Sequence, residues 1–169
     1  MKINFEDYVT QLAPSMAAAE KPRWFLLTCM DYRYAHRIVD LMDSKGLRGK
    51  YDIFVLAGAA AGAVKEERWR ETFVSHVKTA RSLTPPHPID RIMILEHRDC
   101  GAYTEFFGLK WADVKPPIET DKHLEQVRLL IPLLKNELQD PRYPELKIDS
   151  FLLARDEDDE LVIEGPRHS

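Results

Sequence analysis

Two short runs constrain this chain more than anything else in it. Trp24-Phe25-Leu26-Leu27-Thr28 and Ile92-Met93-Ile94-Leu95 are apolar at odd and even positions alike. A strand with one wet face alternates apolar and polar residues. A run that is apolar on both faces belongs inside a sheet covered on both sides, which is the habit of parallel strands. Parallel neighbours need long crossovers, and the sequence supplies helical patterns between its strand patterns. After the first run, Ile38, Val39, Leu41 and Met42 form a helical stripe with Gly46 as its C-cap. Residues 51–57 read as a second strand. Residues 64–83 read as one long amphipathic helix with Trp69, Phe73, Val77 and Ala80 on its stripe, broken by Pro85-Pro86 and Pro88.

The remainder repeats the alternation. The run at 92–95 is the third strand, and residues 100–107 make a short helix closed by Gly108. A helix capped by Thr120 or Asp121 runs to about residue 139, with Pro132 expected to kink or split it. Residues 147–155 form the fourth strand and 160–164 a short edge strand, separated by an acidic turn at 156–159. The pattern predicts a three-layer α/β/α fold with a mainly parallel sheet in the order 2-1-3-4, plus that edge strand. Residues 1–23 are expected as an N-terminal arm or helix, 24–165 as a single α/β domain, and 166–169 as a frayed tail.

In the order 2-1-3-4 the chain winds in opposite senses from the seam between strands one and three. Ligands in open α/β sheets bind at such a switch point, beyond the carboxyl ends of the strands. Strand one runs straight into Cys29-Met30-Asp31-Tyr32-Arg33, and strand three into His97-Arg98-Asp99-Cys100-Gly101. Residues about 70 positions apart therefore meet at one place. Two thiolates and an imidazole are three protein ligands suited to zinc, with a fourth position open as catalytic zinc requires. Asp31 is placed to reach that position or to stand behind it, paired with Arg33 through a bidentate guanidinium–carboxylate contact.

Composition narrows the field around that site. The chain has 169 residues, a formal net charge of −4 and dispersed basic residues, so it lacks the electrostatic footprint of a nucleic-acid partner. No apolar run reaches membrane-spanning length, and the first residues show no signal-peptide core, so a cytoplasmic protein is expected. There, two cysteines favour metal ligation or reactive thiols over a structural disulfide.

Cys29-x-Asp31-x-Arg33 followed by His97-x-x-Cys100-Gly101 resembles the β-class carbonic anhydrases over residues 24–108. The resemblance implies zinc (Zn2+) held by Cys29, His97 and Cys100, and an Asp31–Arg33 dyad that orients a zinc-bound hydroxide or lets Asp31 take the fourth position. It also implies a Gly101 N–H that binds a substrate oxygen. The implied activity is hydration of CO2 to bicarbonate in a homodimer or higher homo-oligomer. Related folds hydrolyse carbonyl sulfide or carbon disulfide, which leaves another linear triatomic substrate open.

The chain departs from the family at two places. Tyr32 stands where the family commonly has Ser. Leu56-Ala57-Gly58-Ala59-Ala60-Ala61-Gly62 replaces a segment that often reads Arg-Asn-Ala-Gly-Asn, so the pocket above the metal is expected to be apolar. Two rivals stand beside the zinc enzyme: a zinc-binding protein without turnover, and a thiol enzyme using Cys29 and Cys100. The thiol enzyme fits less well, because there is no Cys-x-x-Cys and a Cys-x5-Arg phosphate loop fails at Ala35. Among the remaining histidines, His36 and His76 are expected to face solvent or a partner, and His123, heading a helix, is expected at the surface with a proton shuttle as the alternative. Tyr32, Tyr34 and Tyr103 flank the site motifs, as pocket walls or as packing.

Overall fold

The computed structural model describes residues 5–83, 85–110, 114–143, 145–155 and 161–164. The acidic turn at 156–159 and the tail at 166–169 lie outside them. Five strands form one sheet: β1 (Trp24–Thr28), β2 (Tyr51–Val55), β3 (Arg91–His97), β4 (Lys147–Arg155) and β5 (Leu161–Glu164). Their order is β2-β1-β3-β4-β5. The first four are parallel, and β5 pairs antiparallel with β4 as a closing edge. Every residue of β1 is buried, as is every residue of β3 after Arg91. This is why both runs lack alternation.

Alternate residues of those strands feed two cores. Phe25, Leu27, Ile92, Ile94 and Ile148 pack under α3 (Ala60–Lys65), α4 (Glu67–Ser82) and α6 (Pro116–Leu138). Trp24, Leu26, Met93, Leu95, Phe151 and Leu153 pack under α1 (Phe5–Ala17) and α2 (Tyr32–Ser44). The short α5 (Gly101–Phe107) follows the end of β3. The result is the three-layer arrangement that the sequence pattern predicts. The N-terminal helix belongs to it: Phe5, Tyr8, Val9, Ala13 and Met16 are buried. Buried Asp149 on β4 accepts from Tyr8 of α1 and from Arg91 of β3, so its charge is compensated where the helix crosses the sheet.

Three helices differ from expectation. The helix expected over 64–83 is two, because Glu66 adopts an extended conformation (φ −113°, ψ 95°). Ala60, Ala61, Gly62 and Ala63 are all buried, so α3 is covered on every side, whereas α4 buries a one-sided stripe of Phe73, Val74, Val77 and Ala80. One continuous helix could not meet both demands. The last long helix starts earlier than Thr120, at Pro116, with Lys115 as its N-cap, and proline is at ease in the first turn. It continues unbroken through Pro132, which is exposed, so the carbonyl that loses its helical donor has water available. Among the described residues, no helix is long and apolar enough to cross a membrane.

Candidate metal centre

The register of the sheet builds the site. Thr28 pairs with Leu95, so Cys29, one residue past β1, lies level with the end of β3, where His97 sits. Asp31 and Cys100 are the N-cap residues of α2 and α5, both in extended conformation. Each thus stands at a strand-to-helix turn on the carboxyl edge of the sheet, and the Asp31 side chain is fixed there by accepting the Arg33 N–H, while Cys100 makes no capping bond.

The expected ligands come together. Cys29, His97 and Cys100 are all buried, and their ligating atoms lie within 4.8 Å of one another. The two sulfurs are 3.8 Å apart. His97 Nδ1 lies 2.8 Å from the Arg98 carbonyl, which can only accept, so Nδ1 carries the proton and Nε2 the lone pair. The ring is held against Tyr34, stacked at 4.5 Å. His97 Nε2 is buried and has no hydrogen-bond partner. A buried polar atom left so costs ~1–3 kcal/mol, which a metal ion on that lone pair removes. Two soft sulfurs and one imidazole nitrogen are a zinc-type donor set, and the residues fit the ion.

The two thiols and the imidazole of the cluster influence one another's protonation. A hydrogen bond from Cys100 leads in drawing the Cys29 thiol down to about 4, against burial and with help from His97 and the Gly58 N–H at 3.3 Å. Cys100 moves the opposite way, held protonated first by the thiolate of Cys29 and then by burial. Burial pushes His97 down, but Cys29 and the Arg98 carbonyl outweigh it and move the imidazole above its ordinary value.

Asp31 and Arg33 pair as predicted. Arg33 Nε and Nη2 donate to the two carboxylate oxygens at 2.9 and 2.6 Å, and the Arg33 backbone N–H adds a third bond at 2.9 Å. Arg33 is the main reason that the Asp31 carboxyl is held down to about 2. Asp31 Oδ2 is 3.8 Å from His97 Nε2, so the dyad borders the metal cluster. Cys29, Asp31 and Gly101 line one cavity of about 510 Å³ whose remaining walls are Glu105 and a mostly apolar set: Met30, Tyr32, Ala57, Trp69, Ala102 and Phe106. A larger cavity, about 760 Å³ beside Arg81 and Tyr143, shares no residue with it.

The loop expected to lack polar groups contributes through its backbone. Gly58 (φ 69°) and Ala59 (φ 39°) both have positive φ, and a Cβ on Gly58 would meet Ala102 Cβ at 3.0 Å. That close approach is what lets the Gly58 N–H face Cys29. Tyr32 is 81% exposed and stands at the cavity mouth, while Tyr34 and Tyr103 are packing residues. His36 and His76 are exposed as predicted. His123 is not: it is fully buried, and its Nδ1 donates to Glu96 Oε2 at 2.7 Å. Glu96, which sequence reading passed over, also accepts from the Tyr103 hydroxyl and the Ala60 N–H. Its signal was present, since a carboxylate between Leu95 and His97 in a buried strand needs partners elsewhere in the chain.

No family model matches the sequence. An uncharacterized protein of Rickettsia bellii is 29% identical over 133 residues, which is 78% of this chain and 76% of that protein. An uncharacterized protein of Rickettsia conorii is 28% identical over 143 residues, 83% of this chain and 72% of that protein. Among solved structures, the apo form of carbon disulfide hydrolase aligns over 91% of this chain and 84% of its own, with a TM-score of 0.39 and 17% identity. Likeness of that degree adds no weight on chemistry, which rests on the side chains described above.

Proposed function

We propose that this chain is a zinc-dependent hydrolase of small, uncharged heterocumulenes, of the β-carbonic-anhydrase type, with carbonyl sulfide or carbon disulfide preferred to CO2. The observation that carries the reading is the convergence of Cys29, His97 and Cys100, with Cys29 and Asp31 opening onto a mostly apolar cavity. Zinc at such a donor set acidifies water and polarises a small electrophile. Asp31, kept ionised by Arg33, accepts a hydrogen bond from water at the cluster and so orients it. The Gly101 N–H, at the first position of α5, donates to the substrate atom that gains charge. Met30, Ala57 and Phe106 offer no side-chain group that retains bicarbonate, and the carboxylate of Glu105 on the same wall disfavours an anion, whereas an apolar wall suits a sulfur-containing substrate.

A CO2-hydrating enzyme is the second reading, and the intact Asp31–Arg33 pair is what favours it. The test is turnover of the metal-quantified full chain with carbonyl sulfide, carbon disulfide and CO2 in parallel. Sulfide release faster than CO2 hydration is the expected result, with metal and turnover lost together in Cys29→Ser, His97→Ala and Cys100→Ser. Fast CO2 hydration without sulfide release would replace this reading by the second. No turnover of any substrate at full zinc occupancy would leave a metal-binding protein that is not an enzyme of this class.

A further inference from the structure

Behind the cluster lies a buried chain of polar groups that the chemistry above does not use. Glu96 is 2% exposed and its carboxylate is fully engaged. Oε1 accepts from Ala60 N at 2.7 Å, and Oε2 accepts from Tyr103 Oη at 2.8 Å and from His123 Nδ1 at 2.7 Å. His123 turns its Nε2 towards Glu119 Oε1 at 3.9 Å. Glu119 accepts from the Asp99 N–H at 2.7 Å and from Arg98 Nη1 at 2.7 Å. Two carboxylates are therefore interleaved with an imidazole and a guanidinium, as burial of such groups requires.

This chain reaches the metal cluster at three points. Ala60 follows Gly58, whose N–H faces Cys29. Tyr103 lies three residues after Cys100 and donates to Glu96. Asp99 is the most telling. It adopts φ +54°, a left-handed conformation that non-glycine residues seldom take. Its peptide is clamped from two sides: Glu119 takes the N–H, and Arg33 Nη2 donates to the carbonyl at 2.9 Å. The same Arg33 holds Asp31.

We infer that Glu119 and His123 of α6 are positioning residues for the metal centre: with Glu96 they hold the left-handed Asp99 turn from within, and through its carbonyl they seat Arg33 on Asp31. This rests on the reading of Cys29, His97 and Cys100 as metal ligands. It adds that a helix contributing no ligand governs how the site is set. The competing explanation is that the polar chain merely docks α6. The Arg70–Glu137 pair, Nε to Oε1 at 2.8 Å, also ties α6 to the body, through α4 and away from the cluster, and so serves as the control.

The test uses the full chain loaded with cobalt(II) or zinc. Wild type, Glu119→Gln, Arg33→Ala, the double variant and the control Glu137→Gln are compared by the cobalt absorption spectrum and by zinc affinity against a chelating dye. Loss of support behind metal ligands typically costs 10–100-fold in affinity. The expected result is about a tenfold loss for Glu119→Gln with an altered cobalt spectrum, and no change for Glu137→Gln. In the Arg33→Ala background, Glu119→Gln should add less than about twofold, because its route to the site is already cut. Should Glu119→Gln fail to fold, Glu119→Asp, still charged but one methylene shorter, carries the same comparison. A Glu119 effect no larger than that of Glu137→Gln, or one that multiplies fully with Arg33→Ala, overturns the inference. A wild-type chain that binds neither metal overturns the ligand reading itself, and the positioning role with it.

Discussion

Asp31 and Arg33 are two residues apart in sequence and behave as one group. Asp31 caps α2, and its carboxylate takes three hydrogen bonds from Arg33, one from the backbone and two from the guanidinium. Removing either partner leaves the other partly buried and unmatched, so most of the loss should appear in the first substitution. A double-mutant cycle with Asp31→Ala and Arg33→Ala, read by denaturant unfolding, should show a coupling of about 1 kcal/mol or more. Additive effects would mean that the pair is not held in solution. At this scale the sequence was readable wherever spacing carries the chemistry: Cys29, Asp31, Arg33 and Cys100 follow strand ends and His97 closes one, and the structure brings them to one place. It was unreadable where partners meet only through packing. Nothing local to His123 says that it is buried, because its partners Glu96 and Glu119 reach it from β3 and from one turn earlier in α6.

Helix α3 shows what the small-residue loop achieves at the level of an element. Gly62 sits where a Cβ would lie 2.2 Å from the Ala57 carbonyl oxygen, with Leu56 and Trp69 side chains at 3.2 and 3.3 Å. Alanine is favoured over glycine inside a helix by ~1 kcal/mol, but overpacking against backbone costs ~1–3 kcal/mol or more. The clash should win. Gly62→Ala is expected to lower the melting temperature by several degrees, and Gly101→Ala, which has open space around it, to leave it nearly unchanged. A Gly62→Ala variant as stable as wild type would show that the loop and α3 are not locked together. The same contact explains why one helix was expected over 64–83. Periodicity reveals the stripe of α4, but the break at Glu66 is imposed by the tight seat of α3, which only the tertiary structure displays.

Glu119 carries a pH signature that the whole fold should display, since it sits on α6 and holds the turn after β3. Burial pushes its carboxyl up, but His123, Arg98 and the Asp99 N–H outweigh that and hold it down to about 2, from an ordinary 4.5. A carboxylate depressed in the folded state adds stability that is complete above the unfolded value and disappears as pH falls through the folded one. The stability difference between wild type and Glu119→Gln should therefore be full above about pH 4.5 and vanish near pH 2. Unfolding midpoints of the two proteins across that range check it. A difference that does not change with pH would show that Glu119 contributes shape rather than charge.

The expected metal ligands join two neighbouring strands at the switch point of the sheet. Cys29 follows β1, whose far neighbour is the edge strand β2, while His97 ends β3 and Cys100 follows it. An ion shared among them would tie the two sides of the switch point and bind the folded chain in preference, since Cys29 lies 68 and 71 positions from His97 and Cys100. Its effect on stability follows mass action: free zinc at about a thousand times its dissociation constant adds ~4 kcal/mol. For a chain of this size each kcal/mol moves the melting temperature by ~2–4 °C. Zinc should then raise the melting temperature of chelator-treated protein by roughly 8–16 °C. Cys29→Ser should abolish most of that rise while leaving the metal-free melting temperature within a few degrees of wild type. Calorimetry of the two proteins with and without zinc decides the matter: an equal rise in both would place the ion elsewhere, and a metal-free Cys29→Ser that is already unfolded would show Cys29 to be needed for the core as well as for the metal.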